Sequence, residues 1–285
     1  MLVVKNTHKK RLTKFANFLK HWYILLVLVL IYIPLVLIIF LSFNGQNKWG
    51  SVKINFGVPT TINWIKIWGE ETFTDALINT IIISLIVVPV TLLIAVFACY
   101  GIWKAKVSTK FIVLNSSRLS IVTPDSITGV SLILLFGATW IPIGFDYGFF
   151  TVVLAHISFC VPYALIAIYP RINKMNPNWV LASYDLGNGK FNTFFKVIIP
   201  YLMPSILSAL AIVLAMSWDD FIITNLVNGS FQTIGTAIYT TRKGIKAWVV
   251  TFGAIMVIGV FFTVLMIHLL KTYKEHKRNI RNGKK

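Results

Sequence analysis

Two adjacent carboxylates, Asp219 and Asp220, close a long apolar run in the stretch SWDDFIITNL, residues 217–226. An acid at mid-membrane depth costs at least about 2.5 kcal/mol, so it faces a bundle interior or a wet cavity and finds a partner there. Such acids suit the binding of a cation. Asp125, directly after Pro124, is a third acid in apolar surroundings, and it reads equally as a substrate contact or as the capping carboxylate of a restarted helix. Trp218 offers a ring face to an ammonium group or serves as an interfacial anchor. His156 and Tyr163, seven residues apart, share one helix face, where a hydrogen-bonded packing role is preferred to contact with cargo. The sequence has no G-x-x-x-x-G-K-[ST] phosphate loop, no zinc-type cluster of His and acids and no nucleophile elbow. Catalytic residues and metal ligands are therefore expected to be absent, and ATP hydrolysis must come from elsewhere. Cys99 and Cys160 fit no disulfide or metal spacing and read as small buried thiols.

The elements that must position these residues are membrane helices. Of 285 residues, 56% are hydrophobic and 13% charged, with a mean hydropathy of +0.76, whereas soluble domains carry about 25% charged residues. A bilayer core takes about 20 apolar residues as a helix. Six runs qualify: 22–43, 76–100, 119–141, 149–169, 197–227 and 247–270. They are continuous rather than alternating, and a lipid-exposed backbone must satisfy its own hydrogen bonds, so helix is preferred to strand. The first run has a basic flank but is too long for a signal peptide and no small-residue cleavage site follows it; it is expected to remain as an anchor. The expected class is all-α and polytopic, with six transmembrane helices.

Twenty-one of the 27 basic residues fall before the first run, between runs two and three, between runs four and five, and after the sixth. By the positive-inside rule that side is cytoplasmic and holds both termini. The net charge of +18 is thereby a topology signal, with attraction to anionic membrane lipid, and no nucleic-acid partner is expected. The organisation reads as a basic cytoplasmic N-terminus (1–21), a transmembrane domain (22–270) and a basic cytoplasmic tail (271–285). On the cytoplasmic side, residues 170–200 separate runs four and five, and Trp179, Leu181, Leu186, Phe191, Phe194 and Phe195 make this loop too apolar for a disordered linker. Asn176-Pro177-Asn178 starts a helix, Gly187-Asn188-Gly189 breaks it, and Lys190 to Ile198 forms a second. The product is a docking surface on the inner face.

Leu181-Ala182-Ser183-Tyr184-Asp185-Leu186-Gly187, followed by Ile199-Pro200, resembles the EAA loop of the membrane subunits of binding-protein-dependent ABC importers. The family's leading glutamate corresponds to Leu181 and its second alanine to Ser183. The stretches 123–132 (TPDSITGVSL), 156–163 (HISFCVPY) and 217–220 (SWDD) look like segments of the PotC-type permeases of spermidine/putrescine importers. The resemblance implies a type I, MetI-like importer fold in the cell membrane. It also implies a coupling loop containing Leu181, Ala182, Ser183, Asp185, Leu186, Gly187 and Pro200. The chain itself would bind no cofactor, ATP being held by two copies of a separate ATPase subunit. A second, similar permease and an extracellular solute-binding protein would complete the complex, with a polyamine as cargo along Asp219, Asp220, Asp125 and Trp218. Another solute, such as an amino acid, peptide, metal chelate or sugar, is the alternative within transport. A membrane enzyme or scaffold is disfavoured by the lack of a convergent catalytic set.

About 1.5 Å of rise per residue sets Asp219 and Asp220 roughly 30 Å beyond Pro200, toward the outer end of the fifth run. In a regular helix they point about 100° apart. One would then line the path while the other caps, pairs or meets the partner permease.

Overall fold

Apolar runs in a medium without water close every backbone hydrogen bond within the segment, and the hydroxyls carried in them do the same. Thr80, Ser84, Ser117, Ser131 and Thr251 each donate to the carbonyl four residues earlier. A computed structural model describes residues 2–55, 57–241 and 244–282, with side chains for residues 20, 22–55, 57–241 and 244–277. Of the basic residues used for topology, Arg242, Lys243, Lys284 and Lys285 lie outside the described residues. Among the described residues, the helices long and apolar enough to cross a membrane are Trp22–Ser42, Glu71–Lys104, Asp125–Ile143, Phe149–Asn173, Lys190–Asp219 and Ala247–Lys277.

The chain divides into two units, residues 1–71 with 241–285, and residues 72–240. In the first unit, α1 (Leu2–Ser42) packs along α12 (Ala247–Asn282). Gly253 on α12 lets them approach, since a Cβ there would come 3.3 Å from Ile38. Both helices continue without interruption into the basic segments at the chain ends. The connection after α1 is pinned by the buried Asn63, which donates to the carbonyls of Ser42 and Asn44 and accepts from Gln46. Asn63 lies on the short α2 (Ile62–Lys66).

The second unit holds α3 (Glu71–Lys104), α4 (Val107–Val122), α5 (Asp125–Thr139), α6 (Phe149–Asn173), α7 (Asn178–Asp185), α8 (Lys190–Thr193), α9 (Ile199–Asp219), α10 (Ile222–Val227) and α11 (Ile234–Thr240). α6 packs against α9, and α5 against α10. Their core includes Val87, Ala155, Ile168, Ile198, Leu202 and Val213, all fully or almost fully buried. Both cysteines are free and buried there, as the sequence suggests, and Cys99 lies 3.6 Å from the carbonyl of Leu165.

Several boundaries shift by a few residues, and two fall at breaks that the sequence reading ran through. The third span begins at Asp125 rather than at residue 119. Pro124 has no N–H and holds extended backbone, so residues 119–122 finish the separate helix α4. The fifth span ends at Asp219 rather than running to residue 227, because the backbone of Asp220 is extended, with φ −67° and ψ 123°.

The loop between the fourth and fifth spans folds as a helical hairpin. Asn178 N–H donates to the Asn176 side chain, which starts α7. Gly187, with φ +79°, ends it. Gly187 N–H donates to the Tyr184 carbonyl and Asn188 N–H to that of Ser183, the paired bonds of a Schellman motif. The hydroxyls of Ser183 and Thr193, both buried, meet at 2.9 Å and clamp α7 to α8. Instead of ending at residue 198, the second helix passes through a π-helical segment, Phe194–Ile198, directly into α9.

Candidate functional site

The site is built where α9 stops. The amide of Asp220 makes the last α9-type hydrogen bond, to Met216, and the chain then turns into α10. Asp220 organises that restart: its carboxylate accepts from the amides of Ile223 at 3.3 Å and Thr224 at 2.8 Å, and from the Thr224 hydroxyl at 2.6 Å. An acid at a helix start satisfies amides that have no intrahelical acceptor. One turn of α6 supplies the other anchor. His156, fully buried, lies with Nδ1 2.9 Å from the Ser217 hydroxyl and Nε2 2.8 Å from the Thr224 hydroxyl.

The proton positions in this chain of bonds follow from the charge on Asp220. With Asp220 ionised, the single hydroxyl hydrogen of Thr224 points to the carboxylate. Its oxygen must then accept from Nε2–H of His156, and Nδ1 accepts from Ser217. His156 thus joins the end of α9 to the start of α10, in the packing role expected of it. It lies seven residues into α6, about 10 Å from the end that the basic residues mark as outer.

Around this break is a cleft of about 360 Å³ lined by Asp125, Phe159, Met216, Asp219, Asp220, Phe221, Ile222 and Tyr239. All three acids expected at the site line it. The condition of a regular helix is not met, since α9 ends between Asp219 and Asp220; both line the cleft, and Asp220 takes the capping role. Asp219 and Asp125 are exposed. Asp125 is the first residue of α5, and its carboxylate makes no hydrogen bond or ion pair among the described residues. Trp218 does not line the cleft; its indole nitrogen is buried without a hydrogen-bond partner. Tyr163 is half-buried on α6 and is likewise absent from the lining.

The sequence reading missed Phe159, Met216, Phe221, Ile222 and Tyr239. Phe221 and Tyr239 stack with ring centroids 4.0 Å apart and planes 15° from parallel. Ser217 and Thr224, the partners of His156, were also missed, although an aspartate is among the residues that read as a helix start. Two glycines permit the close packing. A Cβ on Gly129 of α5 would lie 2.6 Å from Leu226 Cδ1, and one on Gly235 of α11 would lie 2.8 Å from the Asp220 carbonyl oxygen.

The loop residues occupy the hairpin of α7 and α8. Leu181, Ala182, Asp185 and Leu186 are exposed on α7 and its end, and Leu186 is 82% exposed. Ser183 instead points inward to Thr193, and Gly187 forms the turn. Pro200 stands in the first turn of α9.

Apolar helices that gather acids at a helix break on one side of the membrane, and present a preformed helical hairpin on the other, define a multi-pass transport permease. The chain belongs to the family described as binding-protein-dependent transport system inner membrane component, which matches residues 67–273. A protein of Mycoplasma genitalium named spermidine/putrescine transport system permease protein PotC homolog is 43% identical over 272 residues, covering 93% of this chain and 95% of that one. The protein of the same name from Mycoplasma pneumoniae is 42% identical over 266 residues, with 91% and 93% covered. Putrescine transport system permease protein PotI of Escherichia coli K12 is 27% identical over 284 residues, with 93% and 96% covered. A crystal structure of a bacterial ABC transporter involved in the import of the acidic polysaccharide alginate matches with a TM-score of 0.67 at 12% identity, over 91% of this chain and 96% of that one. At that identity the match speaks for the fold alone.

Proposed function

We propose that this chain forms the translocation path for polyamines such as spermidine and putrescine in an ATP-driven importer. The observation that carries the reading is the cleft: three carboxylates and an aromatic stack, with no lysine or arginine among the lining residues. A polyamine is a flexible apolar chain with separated ammonium groups, and carboxylates on different helices replace its hydration in steps. Asp219 and Asp125, which make no hydrogen bond or ion pair among the described residues, take the ammonium groups. Phe221 and Tyr239 supply the apolar surface between. Asp220 already accepts three hydrogen bonds and keeps the chain broken at this depth, while Trp218 anchors the last turn of α9. The names of the relatives support the same substrate class.

The hairpin meets the ATPase. Leu181 stands where the importer family has a glutamate, so contact at that point is apolar, through Leu181, Ala182 and Leu186, with Asp185 beside them. Ser183 and Gly187 keep the hairpin in shape, and Pro200 begins the helix that carries its movement toward the cleft. Two ATPase copies hold ATP, a second permease completes the path, and an external solute-binding protein delivers cargo. ATP binding turns the permeases outward, and hydrolysis resets them inward.

Uptake of radiolabelled spermidine and putrescine by cells with and without this chain tests the substrate class, with Asp219→Asn and Asp125→Asn testing the site. Uptake that does not depend on the chain rejects the polyamine reading. Wild-type uptake by both variants at normal membrane levels rejects the assignment of those acids. Co-purification of an ATPase that survives removal of residues 178–200 rejects the hairpin as its dock.

A further inference from the structure

At the inner end of the second unit, α6 and α9 leave between them a cleft of about 400 Å³, remote in sequence from the three acids. Two cations stand at its rim. Arg171 lies in the last turn of α6, and Lys174 is the residue that ends that helix. The Arg171 Nε–H donates to the Tyr201 carbonyl at 2.6 Å, and its guanidinium lies over the Tyr201 ring, 4.9 Å from the centroid. This fixes the plane of the guanidinium and leaves both terminal nitrogens for a second acceptor. A planar pair of N–H donors matches a phosphate. Lys174 is exposed and adds a mobile point charge beside it. No acid lines the cleft.

The deeper wall is different. Pro170 and Pro204 are apolar and have no N–H to offer. Ser205 and Ser208 donate their hydroxyl hydrogens to the carbonyls of Leu202 and Pro204. A phosphate therefore has donors only at the rim. Ser208 is seven residues beyond Tyr201 on α9, so the cleft extends about 10 Å from the rim along the helix. Cations at one end and apolar helix surface at the other fit an amphiphile rather than a soluble anion.

We propose that this cleft is a binding site for an anionic phospholipid of the inner leaflet, its phosphate on Arg171 and Lys174 and its acyl region against Pro170 and Pro204. The site does not depend on which solute the chain transports. It touches the hairpin through Tyr201, whose ring meets Trp179 of α7 edge-on with centroids 5.3 Å apart.

The test uses the full chain purified with the subunits that accompany it from membranes and reconstituted in equimolar phosphatidylglycerol and phosphatidylcholine. The lipids that stay bound after detergent washing are quantified by native mass spectrometry. Wild type retains phosphatidylglycerol in preference, Lys174→Gln lowers the preference about fivefold, as expected for one interfacial cation, and Arg171→Gln with Lys174→Gln abolishes it. Lys106→Gln, an exposed cation elsewhere on the same side, leaves it unchanged. Because the Lys174 side chain makes no hydrogen bond or ion pair among the described residues, its variant carries the test even if Arg171→Gln fails to accumulate. Results of three kinds overturn the proposal. One is retention by Lys174→Gln equal to wild type, or an equal loss with Lys106→Gln. The second is displacement of the lipid by inorganic phosphate alone, which marks a soluble-anion site. The third is loss of an accompanying subunit from Lys174→Gln, which marks a protein interface.

Discussion

Asp219 and Asp220 are neighbours in sequence with opposite structural duties, and replacing each by alanine separates them. Asp220→Ala removes the acceptor of two amide bonds and one hydroxyl bond. Loss of a helix cap costs about 1 kcal/mol, and a stranded buried donor costs about 1–3 kcal/mol. The Thr224 hydroxyl is fully buried, and its hydrogen can turn to His156 only if the imidazole changes tautomer and Ser217 becomes the acceptor. The combined loss is about 2–4 kcal/mol. At about 2–4 °C per kcal/mol for a chain of this size, Asp220→Ala melts roughly 5–15 °C below wild type. Asp219→Ala removes an exposed carboxylate with no hydrogen bond, and its midpoint stays with wild type. The chain carries its own probe, since its two cysteines are both fully buried. A thiol-reactive fluorogenic dye added during a thermal ramp therefore reports unfolding of the second unit. Equal midpoints for Asp220→Ala and wild type, or an equal drop in Asp219→Ala, would refute the role given to Asp220 in holding the helix break.

Gly129→Ala forces its new methyl against Leu226 Cδ1, 2.6 Å away. It lowers the same midpoint by an amount equivalent to about 1–3 kcal/mol, and Leu226→Ala restores part of the loss; additive effects would show that the two side chains do not meet. Gly187→Ala meets no neighbouring atom, so its cost is the left-handed backbone alone, about 1–2 kcal/mol. It loosens the link between ATP hydrolysis and uptake in reconstituted complexes, whereas Gly187→Asn, which tolerates that conformation better, does so less. Ser183→Ala strands the buried Thr193 hydroxyl at about 1–3 kcal/mol and speeds amide exchange across residues 178–186; unchanged exchange would mean that the hydroxyl pair does not clamp the hairpin.

The six spans were legible because length and hydrophobicity suffice to define a membrane helix. The hairpin was legible because Asn176-Pro177 and Gly187-Asn188-Gly189 carry local turn chemistry. Hydropathy misplaced the start of the third span and the end of the fifth for one reason: Pro124-Asp125 and Asp219-Asp220 are short polar breaks inside apolar runs, and a window average passes over them. The proline gave warning of the first break. The second required reading Asp220 and Thr224 as a helix start within what looked like a continuing helix. The contacts of His156 with Ser217 and Thr224, 61 and 68 residues away, have no local signature. Nor does the arrival of Tyr239 on Phe221, since both depend on how α6, α9 and α11 meet.

The π-helical segment Phe194–Ile198 joins the hairpin to α9. A π turn holds one more residue than an α turn, so everything before it is rotated by about 100° relative to an uninterrupted α-helix. The segment acts as an angular offset between two parts of one rod. Deleting a single residue from it swings α8 and the clamped α7 around the α9 axis, while the residues of the acidic cleft, at the far end of α9, keep their register. The direction in which the hairpin of this permease points is therefore encoded separately from the chemistry of the acidic cleft, in the count of residues within one turn.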